Sequence, residues 1–63
     1  MLKIKEFCKI RGITVYRLAK KAEINEDTLR KRAKLNWEAS HSDGTLTLKS
    51  PKGGVYTYEG VDI

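Results

Sequence analysis

The stretch Ile13-Thr14-Val15-Tyr16-Arg17-Leu18-Ala19-Lys20-Lys21-Ala22-Glu23-Ile24-Asn25-Glu26-Asp27-Thr28-Leu29 carries one signal twice. Thr14 has a hydroxyl that can accept a free backbone N–H at a helix start, and the Asn25 amide oxygen can do the same. Each is preceded by an isoleucine, Ile13 or Ile24, and followed four residues on by a leucine, Leu18 or Leu29. That is the spacing of a hydrophobic staple. Val15, Leu18, Ala19 and Ala22 form the apolar stripe of a helix over residues 15–22. Leu29 and Ala33 face inward on the next, over residues 26–35, and Glu26 and Asp27 put negative charge in its first turn, where the helix dipole favours it. Only Glu23, Ile24 and Asn25 separate the two, the three- to four-residue connection of a helix-turn-helix.

Outward from this pair the chain divides. On the N-terminal side, Ile4, Phe7 and Cys8 stand at helical spacing, which predicts a first helix over residues 2–11 stopped by Gly12. On the C-terminal side, Thr45-Leu46-Thr47-Leu48-Lys49 and Val55-Tyr56-Thr57-Tyr58 alternate with period two around Ser50-Pro51-Lys52-Gly53-Gly54. Alternation around a turn-forming stretch predicts an antiparallel hairpin. Asp43-Gly44 is a second turn signal, so Asn36–His41 offers a preceding strand and a three-stranded meander. Leu46 and Leu48 are expected to cover the helices, with Trp37 or a tyrosine beside them. The fold class is α+β: a three-helix bundle containing a helix-turn-helix, then a β-hairpin, all one domain over residues 1–63 (helical 1–35, β 36–63).

Size and charge narrow the function. A chain of 63 residues buries only about 60% of the surface its unfolded form exposes, which disfavours a self-contained enzyme with a deep pocket. No apolar run reaches the length of a membrane span, and Met1–Lys5 opens a charged amphipathic stretch rather than a signal peptide. The single Cys8 forms no internal disulfide, and one Cys with one His builds no structural zinc site. Cys8 reads as a buried thiol, His41 as a surface residue beside a turn, and Trp37 as core or interface. No catalytic residue, metal or cofactor is expected, and the compartment expected is the cytoplasm. The net charge is +5, with residues 1–35 at +7 and residues 36–63 at −2. A polyanion would therefore meet the first half, and nucleic acid is the usual partner of such a balance.

The run from Ile13 to Leu29 resembles the helix-turn-helix of phage Cro and lambda-repressor-like regulators. Leu18-Ala19, Ile24 and Thr28-Leu29 carry the likeness. Ala19 falls where the family packs a small residue between helices, Ile24 where it buries an aliphatic turn residue, and Leu29 where it anchors the recognition helix. The resemblance covers about 20 residues, and the three-helix frame about 35. It implies a small phage-type repressor of the bacterial cytoplasm or nucleoid, working as a homodimer on a palindromic site in double-stranded DNA. Two positions depart from the family: Glu23 stands where a turn glycine is usual, and Val15 where a glutamine often holds a phosphate.

The resemblance also implies which residues meet DNA. Glu26, Asp27, Arg30 and Lys31 fall on base-facing positions, with Thr28 and Lys34 on the same helix. Arg and Lys suit guanine acceptors, and a carboxylate can accept from cytosine. Glu26 and Asp27 have a second role open to them, that of stabilising the helix start. Thr14, Tyr16, Arg17 and Lys21 are the expected phosphate anchors. The hairpin has two uses: Val55, Tyr56 and Tyr58, with Val61 and Ile63 as further apolar surface, could pair two subunits, or Lys49 and Lys52 could act as a wing on phosphate. Two other functions fit the same residues, an excisionase-like winged architectural DNA protein and a helix-turn-helix inhibitor module that binds a protein. A membrane or a small-molecule substrate is not expected as a partner.

Overall fold

Each of the three helices ends in the same way. Gly12, Glu23 and Asn36 take left-handed backbone conformations, with φ of 71°, 57° and 65°. The residue after each gives its N–H to a carbonyl five positions back: Ile13 to Cys8 at 3.0 Å, Ile24 to Ala19 at 2.9 Å, and Trp37 to Arg32 at 3.1 Å. This is the long hydrogen bond of a Schellman closure, and the apolar residue that follows packs back onto the body. Ile13, Ile24 and Trp37 all lie against the core. Two helix starts are equally local. Thr14 Oγ1 accepts from the Arg17 N–H at 3.1 Å, and Asn25 Oδ1 from the Thr28 N–H at 3.2 Å.

The computed structural model, which describes residues 1–63, is α+β: three helices and one four-stranded antiparallel sheet. In chain order the elements are β1 (Leu2–Lys3), α1 (Ile4–Arg11), α2 (Val15–Ala22), α3 (Glu26–Lys34), β2 (Glu38–Ser42), β3 (Thr45–Lys49) and β4 (Val55–Tyr58). The sheet order is β1-β2-β3-β4.

The hairpin over Thr45–Tyr58 stands where the alternation predicts it. Three expectations need correction. The first helix starts at Ile4, because Leu2 and Lys3 pair with Ala39 and Glu38 instead, and the Ile4 N–H then donates to the Trp37 carbonyl at 3.3 Å. The sheet has four strands, not two or three, since β1 and β2 both join it. β2 begins at Glu38 rather than Asn36, because Asn36 and Trp37 are spent closing α3.

Register shows which way the sheet faces. Directly paired residues share a face. Ala39 pairs with Leu48, Leu48 with Tyr56, and Leu46 with both His41 and Tyr58. These form the inner face, on the helices. Ser40, Thr47 and Thr57 form a row on the outer face, and Lys3, Glu38, Lys49 and Val55 another. The core takes Ile4, Phe7 and Cys8 from α1, Leu18, Ala19 and Ala22 from α2, Leu29 from α3, and Ala39, Leu46 and Leu48 from the sheet. Burial pushes the Cys8 thiol above its ordinary pKa.

Val61 completes the core, contrary to its expected place on an apolar outer surface. Its N–H donates to the Gly44 carbonyl at 2.9 Å, and its carbonyl lies 2.6 Å from His41 Nε2. His41 is accordingly half-buried over the tail rather than a free surface residue. No helix is long and apolar enough to cross a membrane.

Gly12 and Glu23 do the same job with different residues, which makes a matched test. A Cβ added at Gly12 meets nothing within 4 Å, so the cost of Gly12→Ala is conformational alone. Gly12→Ala is expected to lower stability by about 1 kcal/mol and Glu23→Gly to raise it by up to about 1 kcal/mol. Urea unfolding followed by Trp37 fluorescence measures both. Shifts of the same sign would show that the two turns are not equivalent.

Candidate nucleic-acid interface

Leu29 is wholly buried, and this fixes the rotation of α3. At 100° per residue the opposite face carries Asp27, Lys31 and Lys34. All three are exposed, as is Arg30 beside them. Ala33 and Arg32 are half-buried on the inward flanks, and so are Thr28 and Glu26. The expected groove-facing residues of α3 thus divide into four that are exposed and two, Glu26 and Thr28, on the margins.

The sequence leaves Arg32 unassigned, and its surroundings settle what it does. Its guanidinium lies 4.6 Å from the Trp37 ring centre and 5.2 Å from that of Tyr56, and Nη1 donates to the Tyr58 hydroxyl at 2.8 Å. The Trp37 and Tyr56 rings are themselves 5.4 Å apart. Arg32 ties α3 to the inner face of β4. It is a structural residue, unlike Arg30, Lys31 and Lys34 around it.

Two clefts flank α3. One, of about 380 Å³, lies between α2 and α3 and is lined by Tyr16, Ala19, Lys20, Ile24, Asn25, Glu26 and Asp27. Lys20 Nζ sits 5.4 Å from the Tyr16 ring centre. The other, of about 140 Å³, is lined by Lys5, Val15, Arg30, Ala33 and Lys34. Its floor is apolar and its three charged residues are all bases. It adjoins the start of α2, where Val15 follows the Thr14 cap and free backbone N–H groups favour an anion. Lys5 is a residue that sequence reasoning missed. It belongs to α1, and only the packing of α1 across α3 brings it to Arg30 and Lys34.

Of the expected phosphate anchors, Tyr16 and Arg17 are exposed on α2, Thr14 is exposed with its hydroxyl engaged in the cap, and Lys21 is half-buried. None of Thr14, Arg17 or Lys21 lines either cleft. Lys49 is exposed on the outer face of β3. Lys52 lies in the β3–β4 turn, which shares a cleft of about 500 Å³ with Leu35 at the end of α3, together with Trp37, Ser50, Pro51 and Tyr56. The expected pairing surface is divided: Val55 is on the outer face, whereas Tyr56 and Tyr58 are on the inner face and engaged with Arg32. β4 is one of the two edges of the sheet, the two-residue β1 being the other.

The register also sorts charge between the ends of the sheet. Lys3, Glu38, Lys49 and the turn with Lys52 lie at the end next to the close of α3. Asp43, Glu59 and Asp62 lie at the other end, around the β2–β3 turn, where the tail bonds Gly44. The arrangement offers many hydrogen-bond donors on one side and no cluster of three or more His, Cys, Asp or Glu that could hold a metal. No family model, curated protein or solved structure matches the chain.

The contrast between neighbours on α3 is measurable without any ligand. Arg32→Ala is expected to cost about 1–2 kcal/mol through lost stacking and an unpaired Tyr58 hydroxyl, and Lys31→Ala to stay within about 0.5 kcal/mol of wild type. Thermal unfolding of both variants checks this. Equal effects would remove the structural assignment of Arg32.

Proposed function

We propose that this chain is a sequence-specific regulator that binds double-stranded DNA, with α2 and α3 acting as a helix-turn-helix of the Cro-like kind and α3 entering the major groove. The observation that carries the reading is the outward face of α3. Arg30, Lys31 and Lys34 are exposed there, on a helix whose buried side, caps and Arg32 anchor hold it rigidly to the body. A well-anchored helix with exposed donors is what base readout requires. In this reading Lys5 joins Arg30 and Lys34 on phosphate and base edges, and Tyr16 and Arg17 contact the neighbouring backbone. Two copies paired along β4 would present two such helices to half-sites about 34–36 Å apart. An exposed strand edge without a charge or proline, as in Val55–Tyr58, favours that pairing. Binding represses by covering the site against other proteins.

A second reading has one specific observation behind it. Lys52 lines one cleft with Leu35 at the end of α3, which favours the β3–β4 turn as the wing of a monomer. The two readings differ in the site they select.

Selection from a random duplex library at near-physiological salt decides between them. An enriched palindrome is expected from the β4 dimer, a single unrepeated site from the winged monomer, and no enrichment would overturn the regulator. On the selected duplex, the double change Arg30→Ala and Lys31→Ala is expected to lower affinity at least tenfold, by about 1–3 kcal/mol per lost base contact. Lys5→Ala should weaken all duplexes alike and reduce the slope of log K against log salt by about 1. Lys49→Ala with Lys52→Ala should matter only for the wing.

A further inference from the structure

Glu26 and Arg30 stand one turn apart on α3, and Arg30 Nε donates to Glu26 Oε2 at 2.6 Å. It is the one ion pair in the protein within 4.0 Å. The side chains are 57% and 36% exposed for Arg30 and Glu26, so in water the pair adds little to stability. Its consequence is geometric. A guanidinium offers two edges, one made by Nε with an Nη and one made by both Nη groups. Here the carboxylate holds Nε, and neither Nη group of Arg30 has a hydrogen-bond partner. On the other side, Lys5 and Lys34 share the cleft with Arg30 and give it no acceptor. The guanidinium is drawn toward Glu26 and its end-on edge is left free.

We propose that Glu26 is a positioning residue. It holds Arg30 by Nε so that the paired Nη groups meet the O6 and N7 acceptors of a guanine. The proposal rests on the reading of α3 as the helix that enters the groove, and it names what that helix recognises. It also gives Glu26 a role other than touching a base. An acidic side chain on a DNA-facing helix repels phosphate, so taken alone it weakens binding. Ordering the fork in advance reduces the freedom lost when the base contact forms. Exclusion of water from the groove lowers the local dielectric and strengthens the pair at the moment it is used. Glu26 should therefore weaken binding to DNA in general while sharpening the choice of base.

The test compares wild type, Glu26→Gln, Glu26→Asp and Arg30→Ala on three duplexes. These are the selected duplex, the same duplex with single guanines replaced by 7-deazaguanine, which lacks the N7 acceptor, and a random-sequence duplex. Glu26→Gln is expected to bind the random duplex about two- to threefold more tightly, because a like charge is gone. Its preference for one guanine should fall about tenfold, within the range of a bidentate base contact. Glu26→Asp keeps the charge on a shorter arm, so it should lose preference without gaining affinity for the random duplex. Arg30→Ala should lose preference at the same guanine. If Glu26→Gln tightens all three duplexes by one factor, Glu26 is a repelling charge only and the proposal is overturned. If Arg30→Ala loses the guanine preference while both Glu26 variants keep it, the proposal is overturned and α3 remains the reading helix. If Arg30→Ala changes nothing, or selection enriches no sequence, the assignment of α3 itself fails and this inference with it.

Discussion

The pairing of a left-handed residue with the apolar residue after it sets the geometry of the helical half. At Gly12, Glu23 and Asn36 the chain reverses, and the next N–H reaches back five residues to close the helix. Ile13 and Ile24 then serve twice. Each packs at the end of one helix and stands before the cap of the next, where it staples that helix to the body. Nothing flexible is left between α2 and α3. The angle between them is set by three residues, each with a backbone or side-chain bond that fixes it. Trp37, the third such residue, ends α3 beside β4, and that position creates the stacking site for Arg32.

A second constraint is that the core holds no polar side chain. Eleven buried residues make it up, and they come from all three helices, from β2 and β3, and from the tail through Val61. A small core of this kind leaves little margin, so each element must contribute apolar surface. Of the ionisable groups, only the Cys8 thiol lies in the core. Besides the Glu26–Arg30 pair and the Arg32 stack, Lys3 donates to the Asn36 carbonyl, Arg11 lies over Phe7 and donates to the His41 carbonyl, and Lys20 lies over Tyr16, whereas Lys31 and Lys34 have no such contact.

What the sequence could and could not reveal follows from range. Thr14 and Asn25 are legible as caps because the bonds they make span three residues. Leu46 and Leu48 are legible as the inner face because alternation is local to β3. β1 is not legible, for it is two residues long and its partners Ala39 and Glu38 are distant in the chain. The same holds for His41 over Val61, for Arg32 on Tyr58, and for Lys5 beside Arg30 and Lys34. Each needs the packed fold to bring its residues together. Glu23 lies between these cases. Its αL geometry is the one a turn glycine would adopt, and the strain of a Cβ there is accepted because the Ile24 bond and burial hold it in place.

Charge shows most clearly why position along the chain differs from position in space. Counted by sequence, the β part is acidic. Folded, three of its four acids stand at the opposite end of the sheet from its two bases, while Glu38 pairs with Lys49 at the basic end. The register requires this: with Leu46 opposite Tyr58 and Lys49 opposite Val55, the turn carrying Lys52 falls only where α3 ends. Asp43, Glu59 and Asp62 are left at the far end, with the tail. The two bases of the β part thereby lie toward the end of α3, together with Glu38, and the other three acids lie away from it. If the partner is the polyanion proposed above, a charge distribution of this kind would help to orient the molecule as it approaches. In that reading the hairpin would contribute whether or not its turn touches the DNA, because the field it shapes acts before contact is made.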